Sequence, residues 1–131
     1  MGVLIPLCTN KTFTTLGQTS GNEAVYICPA GRANTIGPLA SQLRIHWEGS
    51  ELTTQFRTKV QMSWSISGKT WSTPVELLST RSADGQVIST SYSTTSEFGP
   101  LWRFEMLCWN GSGSNIESGI ITAVLEVTLK S

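Results

Sequence analysis

Apolar and polar residues alternate along most of this chain, and the alternation limits what the chain can fold into. In the longest clean example, residues 56–66, Phe56, Met62 and Trp64 share one face and Arg57 lies on the other. Because successive side chains of a β-strand point to opposite faces of a sheet, the pattern predicts a strand with one buried face. No segment shows a capped apolar repeat of the helical period. The sequence therefore predicts an all-β protein.

The alternation recurs in short segments bounded by Gly, Pro, Asn and Ser, which predicts about seven or eight strands. That number in one small domain favours an antiparallel β-sandwich or jelly roll, with a small barrel as the alternative. Residues 1–24 interrupt the pattern, because a short apolar start is followed by a Thr-rich stretch. We expect an extended N-terminal arm over residues 1–24 and a β-sandwich domain over residues 25–131.

The stretch SWSISGKTWS, residues 63–72, resembles the Asp-box hairpin of sialidases in Gly68, Thr70 and Trp71. Ile66 stands where that motif has its aspartate, so the side chain that ties the turn is missing. The resemblance is limited to this one hairpin and implies no sialidase activity.

The same stretch predicts a strand register. If residues 67–68 form a two-residue turn, the tryptophans at its two ends lie opposite each other and pin the register. Pro74 cannot donate a hydrogen bond to a neighbouring strand, so residues 71–78 are expected to form an edge strand or one broken by a bulge. The expected pairs are Trp64 with Trp71, Met62 with Thr73, and Val60 with Val75.

Charge disfavours two classes of partner. The chain has 9 Lys plus Arg and 9 Asp plus Glu, so it carries no net field that would attract nucleic acid or an anionic membrane. Charged residues make up 14% of the chain, below the roughly 25% of ordinary soluble domains. A surface with so few charged groups has little charge repulsion against packing on another protein. We expect protein partners, and neither nucleic acid nor a membrane.

No catalytic, metal or cofactor constellation is visible. The only histidine, His46, falls on the polar face of its strand, where we expect it to be solvated, and Asp84 belongs to an Asp-Gly turn. Cys8, Cys28 and Cys108 lie in no Cys-x-x-Cys or Cys/His cluster, so we expect buried free thiols. The sequence predicts a protein that is not an enzyme and binds no metal or cofactor.

In length and in its Thr-, Ser- and Gly-rich composition the chain resembles small virion structural proteins of tailed phages, of the head-decoration or fibre type. The resemblance implies a homo-oligomer, often a trimer, on a larger assembly such as a capsid, with the terminal arm reaching neighbouring subunits. The start of the chain, MGVLIPLC, lacks the pattern of a secretory signal, so we expect a virion protein made in the host cytoplasm. The residues expected to make assembly contacts are Val3, Leu4, Ile5, Leu7 and Phe13.

Carbohydrate binding is the alternative function, because β-sandwiches rich in tryptophan stack sugars on exposed aromatic rings, and this chain has five tryptophans. Trp64, Trp71 and Trp102 fall on apolar faces and are expected to be structural. Under this alternative the glycan contacts are Trp109, Trp47 and Tyr92.

Overall fold

The computed structural model describes residues 2–15, 19, 21–28, 40–81, 87–93, 99–111 and 116–129. These residues contain eight strands and no helix, which confirms the prediction of an all-β protein. No helix that could cross a membrane is found in this described part of the chain. The strands are β1 (Gly2–Thr15), β2 (Ala24–Ile27), β3 (Ala40–Ser50), β4 (Phe56–Ser65), β5 (Val75–Arg81), β6 (Val87–Ser93), β7 (Leu101–Asn110) and β8 (Glu117–Leu129).

The strands form two antiparallel sheets. The first sheet has the order β1-β8-β3-β6 and the second sheet the order β2-β7-β4-β5. Strands β1, β2, β3 and β4 pair with β8, β7, β6 and β5 respectively, as if one long hairpin had been rolled up. Eight strands in this arrangement form a jelly roll, one of the two sandwich forms predicted.

The core lies between the sheets, where the predicted inward faces meet. Trp47, Phe56 and Trp102 are at most 1% exposed, and the Trp102 ring contacts the edge of Phe104 with ring centroids 5.9 Å apart. Large aromatic side chains bury more apolar area than any others, so these rings supply much of the stabilisation of the core. On the last strand every second side chain is buried, namely Ile121, Ala123, Leu125 and Val127.

The N-terminal segment differs from the expected arm. Gly2–Thr15 is a strand of the first sheet, paired with β8 from Gly2 opposite Thr128 to Thr15 opposite Glu117. This pairing places the segment inside the sandwich rather than outside the compact strands.

The alternation in β1 is hidden because the strand is bulged. Its register with β8 shifts between Pro6 and Cys8 and again between Cys8 and Lys11. Asn10 adopts a φ of 45°, and its backbone N–H donates to Thr122 Oγ1 over 2.8 Å. Asparagine tolerates this left-handed conformation better than most residues. Each bulge adds residues to one strand, so the period-two pattern that identifies a strand is broken.

The register of the hairpin after β4 is also different from the prediction. Met62 lies opposite Val75 instead of Thr73, and Val60 lies opposite Leu78. A wider loop replaces the two-residue turn: the Gly68 N–H donates to Ser65 Oγ over 2.8 Å and the Lys69 N–H donates to Ser67 Oγ over 3.1 Å. Such side-chain acceptors compete with the backbone bonds of a tight turn. The edge prediction is confirmed, since β5 ends the order of the second sheet and its pairing with β4 is irregular.

Leu52 fills a gap that two glycines leave open beside β3 and β8. A Cβ atom on Gly49 would lie 2.7 Å from Leu52 Cδ1, and a Cβ atom on Gly119 would collide with Leu52 Cδ2. The same atom on Gly119 would lie 3.2 Å from the ring of the buried Phe56. Both glycines are therefore required for the leucine to pack between the strands.

We predict that Gly119→Ala lowers the free energy of unfolding by about 1–3 kcal/mol, because the added methyl group overpacks this contact. Denaturant unfolding followed by tryptophan fluorescence would measure the loss. In the double variant Gly119→Ala with Leu52→Ala, the total loss is expected to be smaller than the sum of the two single losses. Strictly additive losses would contradict the proposed collision.

Three free thiols lie in the core. Cys8, Cys28 and Cys108 are at most 8% exposed. Burial raises the pKa of Cys8 to about 11 and the pKa values of Cys28 and Cys108 to about 12. For Cys108 this effect outweighs the opposing hydrogen bond to Thr58 Oγ1 over 3.8 Å. The thiols are therefore protonated and packed as small apolar groups at neutral pH, as expected from the sequence.

We predict a loss of stability at alkaline pH from these groups. Their folded-state pKa values lie above the ordinary thiol value, so their contribution is fully present below about pH 9 and is lost as the pH rises towards 11–12. Denaturant unfolding between pH 7 and pH 11 would show the decline. Because other groups titrate in this range, the test is the comparison with Cys28→Ala, whose free energy of unfolding is expected to fall less steeply. Equal slopes would contradict the prediction.

Candidate functional site

The loop between β4 and β5, residues 66–74, is held in a defined shape by its own hydrogen bonds. At its base the Ser72 N–H donates to the Trp64 carbonyl over 2.8 Å, and the Trp64 N–H donates to Ser72 Oγ over 3.0 Å. At its turn the Gly68 N–H donates to Ser65 Oγ over 2.8 Å, and Gly68 has a φ of 81°, which glycine adopts without strain. The loop is thus closed at both its base and its turn.

A pocket of about 390 Å³ opens in this loop, and we call it the tryptophan pocket. Two indole rings and one isoleucine give it an apolar surface, and hydroxyl groups surround them. No charged side chain is among the described residues that line it. Those residues are Trp64, Ser65, Ile66, Ser67, Thr70, Trp71 and Ser72.

The two indole rings of the tryptophan pocket are fixed by different neighbours. Trp64 lies opposite Trp102 of β7 and packs against the core, and its ring lies so close to Gly99 that a Cβ atom there would be 2.6 Å from Trp64 Cε3. Trp71 is half-buried, and the Arg103 guanidinium stacks over its ring, 4.5 Å from the centroid. A cation over an aromatic face is attracted by the ring, so Arg103 holds the Trp71 ring in place. Ile66 projects beside them and is 78% exposed.

A second group of polar side chains lies on the outer face of the first sheet. His46 Nε2 lies 2.9 Å from Glu126 Oε1, and His46 Nδ1 lies 2.7 Å from Ser89 Oγ. These two contacts of His46 form a bridge that connects β3 with β6 and with β8. We expected a solvated His46, whereas both of its ring nitrogens have a partner in the structure.

This group contains the three side-chain types of a serine-hydrolase triad, but it lies on an open sheet face. The side chains of His46 and Glu126 are 35% and 39% exposed, and Ser89 is exposed. Triad catalysis depends on oriented donors in a site that excludes water, and an open face is poorly suited to that. We interpret the bridge as a cross-strand contact that ties β6 and β8 to β3.

The residues predicted to make assembly contacts are mostly inside this chain's own core. Ile5, Leu7 and Phe13 are at most 8% exposed, and Val3 is half-buried against the same core. Leu4 alone of the five is exposed, at 65%, and lies opposite Glu126 on the outer face of the first sheet. The strand alternation of β1 therefore separates one outward residue from its buried neighbours.

Two of the three predicted glycan contacts are also buried. Trp47 is 1% exposed and Trp109 is 7% exposed, and the Lys59 Nζ lies 5.7 Å from the Trp109 ring centroid. Neither ring is available to stack on a sugar. Tyr92 lies in β6 opposite Leu43, and its side chain is outside the described part of the structure.

Sequence reasoning missed the role of Ile66 and Trp71 in forming a pocket. The signal was present in the stretch SWSISGKTWS, which carries two indoles, an isoleucine and several hydroxyls within ten residues. Interpreting it as a tight hairpin placed Trp71 opposite Trp64 on a strand, whereas Trp71 lies in the loop before β5.

Solved structures of very different sequence share this fold. The VP2 subviral particle of infectious bursal disease virus matches with a TM-score of 0.71 at 10% identity, covering 98% of this chain and 32% of that one. VP2 in T=1 particles derived from the same virus matches with a TM-score of 0.70 at 10% identity, over 98% of this chain and 31% of that one. A carbohydrate-binding module of the β-sandwich superfamily matches with a TM-score of 0.52 at 10% identity, over 92% and 51%.

No protein-family model matches the sequence. No curated protein matches it in sequence either. This chain spans about a third of the length of the VP2 chains. At identities this low the likeness concerns the fold alone. The chain shares an antiparallel β-sandwich fold with part of a virus-particle protein and with a carbohydrate-binding module.

Proposed function

We propose that this chain is a non-enzymatic structural protein of a virion, an accessory protein of the capsid-decoration kind that joins the assembly through protein–protein contacts. The observation that carries the proposal is the eight-stranded jelly roll, whose likeness to VP2 extends over 98% of the chain with a TM-score of 0.71. The absence of net charge and the small number of charged residues also support the proposal, because charge repulsion between subunits would be weak.

The docking line that we propose is the outer edge of β1. This strand ends the order of the first sheet, and an edge strand offers its backbone N–H and C=O groups to a strand of another subunit. Leu4 adds a large exposed apolar side chain next to that edge. The N-terminal segment would then contact neighbours as a strand of the sandwich instead of as a free arm.

We expect the purified protein to form a homo-oligomer through this edge. Size-exclusion chromatography with light scattering would give its mass, and Leu4→Asp is expected to weaken the association without lowering the melting temperature, because Leu4 is exposed. Val25→Asp is the matched control, since Val25 is 54% exposed on the outer face of the other sheet. A monomer at concentrations up to about 100 μM would contradict the homo-oligomer, since stable interfaces associate well below that.

Carbohydrate binding is the second candidate function. The tryptophan pocket favours it, because exposed indole surface beside hydroxyl groups is the chemistry that recognises sugars. The fold likeness to a carbohydrate-binding module, with a TM-score of 0.52, adds support. The sites first expected at Trp47 and Trp109 do not contribute, because both rings are buried.

We predict that the intact protein retains at least one oligosaccharide when it is applied to an immobilised panel of neutral and acidic glycans. Binding is expected to be weak, with a dissociation constant of about 0.1–10 mM for a single shallow site. A heat-unfolded sample of the same protein is the control for nonspecific retention. Absence of binding to every glycan of the panel would remove the second candidate function and leave the virion proposal standing.

A further inference from the structure

We propose that the tryptophan pocket binds a neutral pyranose sugar, one or two residues long, with the sugar's C–H face on the indole of Trp71. The inference rests on the second candidate function and names its site and ligand class. It assigns a ligand to a surface that the fold leaves open at the loop between β4 and β5.

The size of the pocket sets the length of the ligand. Its volume of about 390 Å³ lies at the lower end of the range of small-molecule pockets, which is roughly 300–1,000 Å³. That space admits a monosaccharide or disaccharide and excludes burial of a longer chain. A longer glycan could still enter with its terminal residues, since the pocket lies in an exposed loop.

The lining sets the chemistry of the ligand. A pyranose has an apolar face of C–H groups and a rim of hydroxyls. In the pocket an indole and the exposed Ile66 can contact the apolar face, and hydroxyl groups can bond to the sugar hydroxyls. Thr70 and Ser67 supply hydroxyls at the rim. No described lining residue is charged, and the Arg103 guanidinium beside the pocket is engaged with the Trp71 ring, so a neutral sugar meets the lining without the cost of desolvating a charge. A neutral sugar is therefore preferred.

The pocket is already ordered before a ligand arrives. Arg103 stacks on the Trp71 ring 4.5 Å from its centroid, and the paired hydrogen bonds between Trp64 and Ser72 close the loop. A rigid aromatic platform costs little side-chain entropy on binding. Trp109 also has a cation near its ring, Lys59 at 5.7 Å, but it is only 7% exposed. The Trp71 ring is therefore both fixed by a cation and accessible to a ligand, whereas the Trp109 ring has a cation contact but is too buried for a ligand to reach.

A proline-rich peptide is the competing occupant, because such peptides dock in aromatic-lined grooves. Ser65, Ser67 and Ser72 Oγ each accept one loop hydrogen bond and keep further hydrogen-bonding capacity. A ligand with many hydroxyls can use that capacity, whereas proline rings cannot, which favours the sugar. The two occupants can be separated in one titration.

The test is a titration of the full chain with lactose, cellobiose and N,N′-diacetylchitobiose, each to about 20 mM, a concentration that detects millimolar affinity. The acidic 3′-sialyllactose and a decaproline peptide are titrated in parallel. The readout is the NMR signal of the indole N–H groups, with the Trp71 signal identified by its absence in Trp71→Phe. In the Trp71 variants the signal of Trp64, which lines the same pocket, reports binding. Thermal unfolding checks that each variant is folded.

We expect the Trp71 signal to shift and saturate with at least one neutral disaccharide. Trp71→Ala is expected to weaken binding at least tenfold and Ile66→Ser several-fold, whereas Trp71→Phe keeps part of the affinity because it retains a ring. Ile116→Ser is the matched control, since Ile116 is a 63% exposed isoleucine outside the tryptophan pocket, and its affinity is expected to be unchanged.

Four results would overturn the inference, and they differ in what they leave of carbohydrate binding. Full affinity in a folded Trp71→Ala variant would place sugar binding elsewhere on the protein. Binding of 3′-sialyllactose without binding of any of the three neutral disaccharides would overturn the neutral ligand class. A Trp71 shift with decaproline alone, or no shift with any probe, would remove the sugar site, and the glycan panel then decides whether the second candidate function survives.

Discussion

The pairing of β1 with β8 is the contact on which the rest of the structure depends. It joins the two ends of the chain, with Gly2 opposite Thr128, and β8 also pairs with β3 on its other side. The pairing closes the rolled hairpin and brings Ile5, Leu7 and Phe13 over the core. Contacts between residues so distant in sequence are costly in chain entropy, so the buried apolar area of β1 must offset that cost.

Closing the roll in this way determines where function can reside. The inner faces are used for packing, and the outer face of the first sheet is tied together by the bridge of His46 with Ser89 and Glu126. The sheet edges and the loops remain for contacts with other molecules, as is usual for a rigid β scaffold. Among the described residues, the edge of β1 and the tryptophan pocket are the places to which we assign a protein partner and a sugar in our proposals.

The contacts that sequence reasoning missed have one physical origin. His46 and Glu126 are 80 residues apart, and they meet because β3 and β8 are neighbours in a particular register. Alternation along a strand shows which face a side chain occupies, but it contains no information on which strand lies beside it. For the same reason the alternation could not show that Trp64 lies opposite Trp102 of β7.

The sequence by itself determined the all-β class, the inward face of β4 and the edge position of the strand after Pro74. Each of these follows from local stereochemistry, either the alternation of side chains or the missing N–H of proline. Only the tertiary structure decided that the N-terminal segment is a strand, that Trp109 is buried and that Trp71 lines a pocket. These depend on bulges, on register and on neighbours distant in the chain, which no local pattern encodes.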